Sequence, residues 1–180
     1  MQPIKKYFLW VLFVLLSTGP ISAANDRPVI EENQGKALLI YNIAKFTLWP
    51  AATASSDTPF TFTLWNDNAL ADALQIIEGL ETQGRKIRIN HQQKGSIAGD
   101  CQVIIIPKNQ LQQFIKARGE LDKLPILTVT TEPNVFEAGA MVLVEVVDDH
   151  LSFSVNLAAV KASGLEISGN LLRHAHQVKF

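Results

Sequence analysis

Beyond its first 24 residues, the most continuously apolar, β-branched stretch of the chain is Cys101-Gln102-Val103-Ile104-Ile105-Ile106-Pro107. It is too short to span a bilayer, and it lacks the alternation of a strand with one wet face. Three consecutive isoleucines closed by proline disfavour a helix. The pattern predicts a strand buried on both faces, at the centre of a parallel sheet covered by helices. Around it, apolar positions fall into two periods. Ala37, Ile40, Tyr41, Ala44 and Leu48 recur at helical spacing, predicting a helix from about Glu32 to the residue before Pro50. Phe60-Thr61-Phe62-Thr63-Leu64-Trp65 alternates as a strand does. Helical spacing returns over Ala69–Leu80 and is broken by Gly84; Lys86–Asn90 predicts a short strand near an edge. After the central strand come a helix over Leu111, Phe114 and Ile115, capped by Asn109 and stopped by Gly119, and a strand Pro125–Thr130. Thr131 to Gly139 reads as a loop with one helical turn. Ala140–Val147 and Leu151–Val155 form a hairpin around Asp148-Asp149-His150. Asn156 caps a helix stopped by Gly164, and Ser168 opens a last helix with Leu171, Leu172, Ala175 and Val178 on one face. The fold class expected is α/β: a three-layer, mostly parallel sheet flanked by helices, with a C-terminal antiparallel β-hairpin.

At 180 residues, with 47% hydrophobic and 18% charged side chains, the chain suits one domain with a real core. The organisation expected is a signal peptide over 1–24, a linker over 25–33 and a single domain over 34–180. Lys5-Lys6, the apolar run Tyr7 to Leu16 and the small residues around Ala23-Ala24 make the secretory pattern of an exported protein. An uncleaved amino-terminal anchor is the rival reading. Removing residues 1–24 takes away Lys5 and Lys6 and no acidic residue. That leaves 14 basic against 17 acidic side chains, a formal charge of −3. No electrostatic footprint for nucleic acid results. Cys101 is the only cysteine, so no disulfide can form within the chain. It is either a small buried hydrophobe or a thiol for an inter-chain bond.

Lys36-Ala37-Leu38-Leu39-Ile40-Tyr41-Asn42-Ile43-Ala44-Lys45-Phe46-Thr47-Leu48-Trp49-Pro50 resembles the opening helix of the YfiR family, and Cys101–Ile106 resembles its central strand. Ile126–Thr130, Phe136, Gly139-Ala140-Met141, Phe153–Leu157, and Gly164–Ser168 with Leu171-Leu172 follow in that family's order. The resemblance covers about residues 36 to 178. It implies a periplasmic α/β protein without catalysis that represses an inner-membrane diguanylate cyclase through the cyclase's periplasmic part. An OmpA-like outer-membrane lipoprotein would sequester the repressor, and cyclic di-GMP and biofilm formation would be the output. It also implies a homodimer and no cofactor. The family's namesake pairs the cysteine corresponding to Cys101 with one near the end of the first strand. Phe62-Thr63-Leu64-Trp65 holds none, so that redox link is absent here.

No catalytic residue is expected. There is no Gly-x-Ser-x-Gly, Asp148-Asp149 is explained by a hairpin turn, and Gly95–Gly99 precedes a strand rather than following one. No metal site is expected either: His174 and His176, two apart on a helix, would point about 200° apart, as solvated helix-end histidines. Two binding surfaces are candidates. The carboxyl ends of the parallel strands would gather Trp65, Asn66, Asp67, Lys108, Asn109, Thr130, Thr131 and Glu132 into a crevice for a small polar or anionic ligand. The bland alternative is that these are turn and cap residues. At the end of the first helix, Tyr41, Lys45, Phe46 and Trp49 suit a protein interface; equally, Phe46 and Trp49 cap the core.

Overall fold

In a computed structural model, which describes residues 26–50, 57–66, 69–92 and 101–180, two runs of strands meet around Val103–Ile105. In chain order the elements are α1 (Asp26–Lys45), β1 (Thr47–Leu48), β2 (Phe60–Trp65), α2 (Ala71–Leu74) with a 3₁₀ turn Gln75–Ile77, β3 (Glu81–Thr82), β4 (Arg85–Gln92) and β5 (Val103–Ile105). A 3₁₀ turn Lys108–Gln110 leads into α3 (Leu111–Leu121). Then follow β6 (Leu127–Thr130), α4 (Pro133–Glu137), β7 (Val142–Val147), β8 (His150–Asn156), α5 (Leu157–Ala162), β9 (Glu166–Ile167), α6 (Gly169–Leu172) and β10 (Gln177–Lys179). The signal peptide expected over 1–24 lies outside the described residues.

The main sheet has eight strands in the order β10-β8-β7-β6-β5-β2-β4-β3. β4, β2, β5, β6 and β7 are mutually parallel, while β8 pairs antiparallel with β7. β5 is flanked by β2 and β6, and Cys101 to Ile106 are all buried. The unalternating run therefore does what its pattern predicts: Val103 and Ile105 feed one core, Ile104 and Ile106 the other. The first core lies under α1, α2 and α5 and holds Ile40, Phe60, Phe62, Leu64, Val144 and Val160. The second lies under α3 and α4 and holds Trp65, Phe114, Leu121 and Val135. The expected three-layer α/β architecture with its C-terminal hairpin is thus present. β7 and β8 turn through Asp148 and Asp149, both left-handed at φ 49° and 61°, the two-residue geometry that matches strand twist.

Four boundaries differ from the sequence expectation. α1 begins at Asp26, inside the stretch expected to be a linker, and stops at Lys45. Thr47 and Leu48 pair with Ile167 and Glu166 instead of continuing the helix. The Gln83 amide closes this end, donating to the carbonyls of Lys45 and Thr47 at 3.3 and 3.1 Å. The helix expected over Ala69–Leu80 shrinks to α2 and its 3₁₀ turn, because Gly79 at φ 78° leads the chain toward the β3–β4 hairpin. Asn109 caps nothing: it lies within the 3₁₀ turn, and Gln110 is the N-cap of α3 without a side-chain bond. Finally, the last helix ends at Leu172, and Gln177–Lys179 forms an edge strand parallel to β8. There the ladder with β8 overrides a helical pattern whose intrinsic preference is weak. The expected caps Asn156 and Ser168 do accept from Ala159 N and Leu171 N, at 3.1 and 3.3 Å.

Candidate functional site

The strand order β4-β2-β5-β6-β7 carries a topological switch point. From β2 the chain steps outward to β4, then returns past β2 to β5. In open α/β sheets, ligands bind outside the carboxyl ends of the strands at such a point. Here that position holds a crevice of about 230 Å³, lined by Asn33 and Lys36 of α1, Ala69 and Leu70 after β2, Pro107 after β5, and Thr131 and Glu132 after β6. α1 runs antiparallel to the strands, so its early turns reach this end. The Asn33 amide nitrogen donates to Ala69 O at 3.1 Å, which pins α1 to the loop after β2. A carbonyl can only accept, so this bond fixes the amide orientation and leaves Asn33 Oδ1 free to accept. Thr130 braces the two neighbouring strand ends. Its hydroxyl donates to Ile106 O at 2.8 Å and accepts from Glu132 N at 3.0 Å.

The predicted crevice residues divide accordingly. Glu132 and Thr131 line the crevice. Thr130 is fully buried and acts as the brace. Lys108 and Asn109 are exposed on the 3₁₀ turn beyond Pro107 and are not among the lining residues. Trp65 is fully buried in the second core and offers no ring to the crevice. The alternation of Phe60–Trp65 already placed it on the same face as Thr61 and Thr63, with the ring turned toward α3's side of the sheet. Asn66 makes the turn at φ 56°, its backbone N–H bonded to Gln92 O at 2.8 Å. Asp67 lies outside the described residues. Asn33 and Lys36 were missed, because nothing in a helix's own pattern says which end of the sheet its first turns reach.

Electrostatics set the character of this crevice. Lys36 is already matched: its ammonium sits 2.5 Å from Glu32, one turn back. The Glu132 carboxylate has no ion pair and no hydrogen-bond partner among the described residues.

The second predicted surface lies at the opposite end of α1. The Tyr41 hydroxyl donates to Glu81 O at 3.0 Å, and the Lys45 ammonium lies 6.0 Å from the centre of the Tyr41 ring. Phe46 is 48% exposed, and so is Leu48, at 56%, which the sequence reading did not single out for this surface. Between them Thr47 is fully buried, its hydroxyl bonded to Ile43 O at 2.8 Å. Trp49 instead packs edge-on against Phe60, at 5.1 Å and 87°, as part of the first core's rim. Phe46 and Trp49 therefore split the two readings offered for them: one ring faces out, the other caps the core.

A larger cavity of about 540 Å³ opens near the amino-terminal ends of β2 and β4, lined by residues including Glu78, Glu81, Arg85, Lys86 and Arg88. Arg85 is committed to the fold there. Its guanidinium donates to Thr58 O, Pro59 O and Gln102 Oε1 and lies 5.4 Å from the Phe60 ring. Glu78 is held by Ile89 N. Cys101 is buried, its sulfur 3.0 Å from Val103 O, and burial pushes its thiol up to about 11. His174 and His176 are exposed in the turn between α6 and β10, not at a helix end as expected. Among the described residues no helix is long and apolar enough to cross a membrane.

Comparison with known proteins adds the following. A crystal structure of a conserved domain protein from Vibrio cholerae O1 biovar eltor str. N16961 superposes with a TM-score of 0.55 at 13% identity, over 80% of this chain. The chain spans 60% of that structure's length, and at this identity the likeness shows the fold alone. No curated protein matches the sequence. The family model described as YfiR/HmsC-like matches residues 33–176, from the Asn33 that lines the crevice to the residue before β10, and the chain belongs to that family.

Proposed function

We propose that this chain is a non-enzymatic periplasmic regulator that binds a membrane-bound diguanylate cyclase and restrains it, lowering cyclic di-GMP and biofilm formation. The observation that carries this reading is the YfiR/HmsC-like match across residues 33–176, a family of periplasmic regulators. The exposed pair Phe46 and Leu48, beside Lys45 and the Tyr41 ring, supplies the aromatic, aliphatic and basic groups of an interface centre. Restraint requires that the chain bind the cyclase's inactive conformation better than its active one. Equal affinity for both would shift nothing. A homodimer, and release of the cyclase when an OmpA-like lipoprotein captures the regulator, complete the proposal.

The test is co-purification of the chain with the periplasmic part of a tagged cyclase from the same cell, with cyclic di-GMP measured with and without the gene. Capture, with cyclic di-GMP rising on deletion, is expected. The double variant Phe46→Asp/Leu48→Asp should lose capture while keeping its melting temperature, since both side chains are largely in solvent. Unchanged cyclic di-GMP on deletion removes the cyclase from the account.

A further inference from the structure

We infer that the strand-end crevice is a binding site for a small organic ammonium compound, held by Glu132. The sequence suggested a small polar or anionic ligand there, on the strength of an aromatic ring, hydrogen-bonding side chains and helix N-terminal N–H groups. The side chains that line the crevice favour the polar reading, with a positive charge on the ligand. Lys108 is outside the lining, and Lys36, the one cation among the described lining residues, is neutralised by Glu32 at 2.5 Å. Among the described residues, what remains uncompensated is the Glu132 carboxylate. The other polar side chains of the lining can also accept: Asn33 Oδ1, turned away from Ala69 O by the bond that one of its two amide N–H groups makes there, and the Thr131 hydroxyl. Three acceptors, one of them charged, match the three N–H donors of a primary ammonium.

The walls set the rest of the ligand. Leu70 and Pro107 present apolar surface, so the amine carries a short hydrocarbon part. At about 230 Å³ the crevice is smaller than the sites that hold drug-sized ligands, roughly 300–1,000 Å³. It has the volume of about eight waters at ~30 Å³ each, so the ligand has fewer than about ten heavy atoms. Thr130 makes the site rigid: by holding both Ile106 O and Glu132 N it fixes the backbone of Glu132 against the end of β5. The crevice and the exposed end of α1 lie at opposite ends of that helix, so this binding does not require the regulatory reading to hold.

The experiment is a ¹H–¹⁵N NMR titration of the purified chain with n-butylammonium chloride, against n-butanol and sodium butyrate at matched ionic strength. Saturable shifts are expected at the amides of Lys36, Leu70, Thr131 and Glu132. A five-heavy-atom ligand sets the midpoint on the order of 1 mM. Butanol should need at least about tenfold more, since the charge-assisted bonds are lost, and butyrate should leave these amides unmoved. Glu132→Gln keeps shape and removes charge; it should raise the amine's midpoint at least about tenfold with the rest of the spectrum unchanged. Ala69→Trp, at an exposed lining position, should abolish the shifts by filling the crevice. Equal midpoints for amine and alcohol, or an unaltered midpoint in Glu132→Gln, would overturn the assignment. So would shifts centred elsewhere.

Discussion

The hydroxyl of Tyr41 donates a 3.0 Å hydrogen bond to the backbone carbonyl of Glu81, tying the carboxyl-terminal turns of α1 to the smallest strand of the sheet. Two residues on, the Gln83 amide makes a second tie to the carbonyls of Lys45 and Thr47. Together they set the β3–β4 hairpin against the end of α1. Tyr41→Phe removes one bond at a partly exposed site and should lower unfolding free energy by about 0.5–1.5 kcal/mol. Gln83→Ala should do at least as much. Urea unfolding checks this: the midpoint falls while the slope stays constant.

Thr130 is the reverse case, a buried hydroxyl serving two backbone groups. Thr130→Val conserves shape but strips the partner from Glu132 N and removes one donor from Ile106 O. The cost should be about 1–3 kcal/mol. A second consequence separates this variant from a general loss of stability: the ammonium midpoint at Glu132 should rise even at temperatures where the chain is fully folded.

Cys101 should behave as an inert thiol. Burial raises its folded pKa to about 11 from an ordinary 9.0. The folded chain should resist alkylation at pH 8 and react only when denatured. The sign of the pH effect follows from linkage. Below pH 9 both states hold the proton and nothing changes; between pH 9 and 11 only the unfolded state releases it, so stability falls as pH rises. The fall should reach about 2–3 kcal/mol by pH 11. It should be missing from Cys101→Ala, so the quantity to measure is the difference between the two stability–pH curves.

Asn156 closes the turn from β8 into α5, accepting from Ala159 N at 3.1 Å. Asn156→Ala should cost about 1 kcal/mol, and Asn156→Asp should keep most of the stability. Ile104→Ala, by contrast, empties the second core at the centre of the sheet and should cost about 2–5 kcal/mol. Thermal melts should place Asn156→Asp highest, Asn156→Ala below it and Ile104→Ala lowest.

Much of this fold was legible because burial leaves a mark on sequence. The run Val103–Ile106 read best as a strand covered on both faces, with a buried helix the weaker alternative, and Val103–Ile105 form that strand. Phe60–Trp65 announced its two faces by alternation. Where the reading went astray, the deciding partner was distant in sequence. Val178 fits a helical face until β8 offers it a ladder. Leu48 fits the first helix until Glu166 pairs with it. The crevice shows the same division. Thr131 and Glu132 follow a strand and could be placed at its end. Asn33 and Lys36 enter through the antiparallel course of α1, which no local pattern records. Trp65 was assigned to the crevice as the last residue of a strand, although its alternation with Phe62 and Leu64 already pointed it into the opposite core.

The sheet ends on β3, two residues long, and on β10, three residues long. An unpaired strand edge is a template on which another chain can add, and its reach depends on how many consecutive N–H and C=O groups it offers. Six strands lie between neighbours here, with β3 pairing only Arg85 and Lys86 of β4 and β10 only Ser154–Asn156 of β8, and the outermost rungs are too few to fix a register for an incoming strand. β3 and β10 thus offer little template at the very edges of the main sheet. Lengthening β10 with an alternating apolar segment should turn this short edge into a template for strand addition.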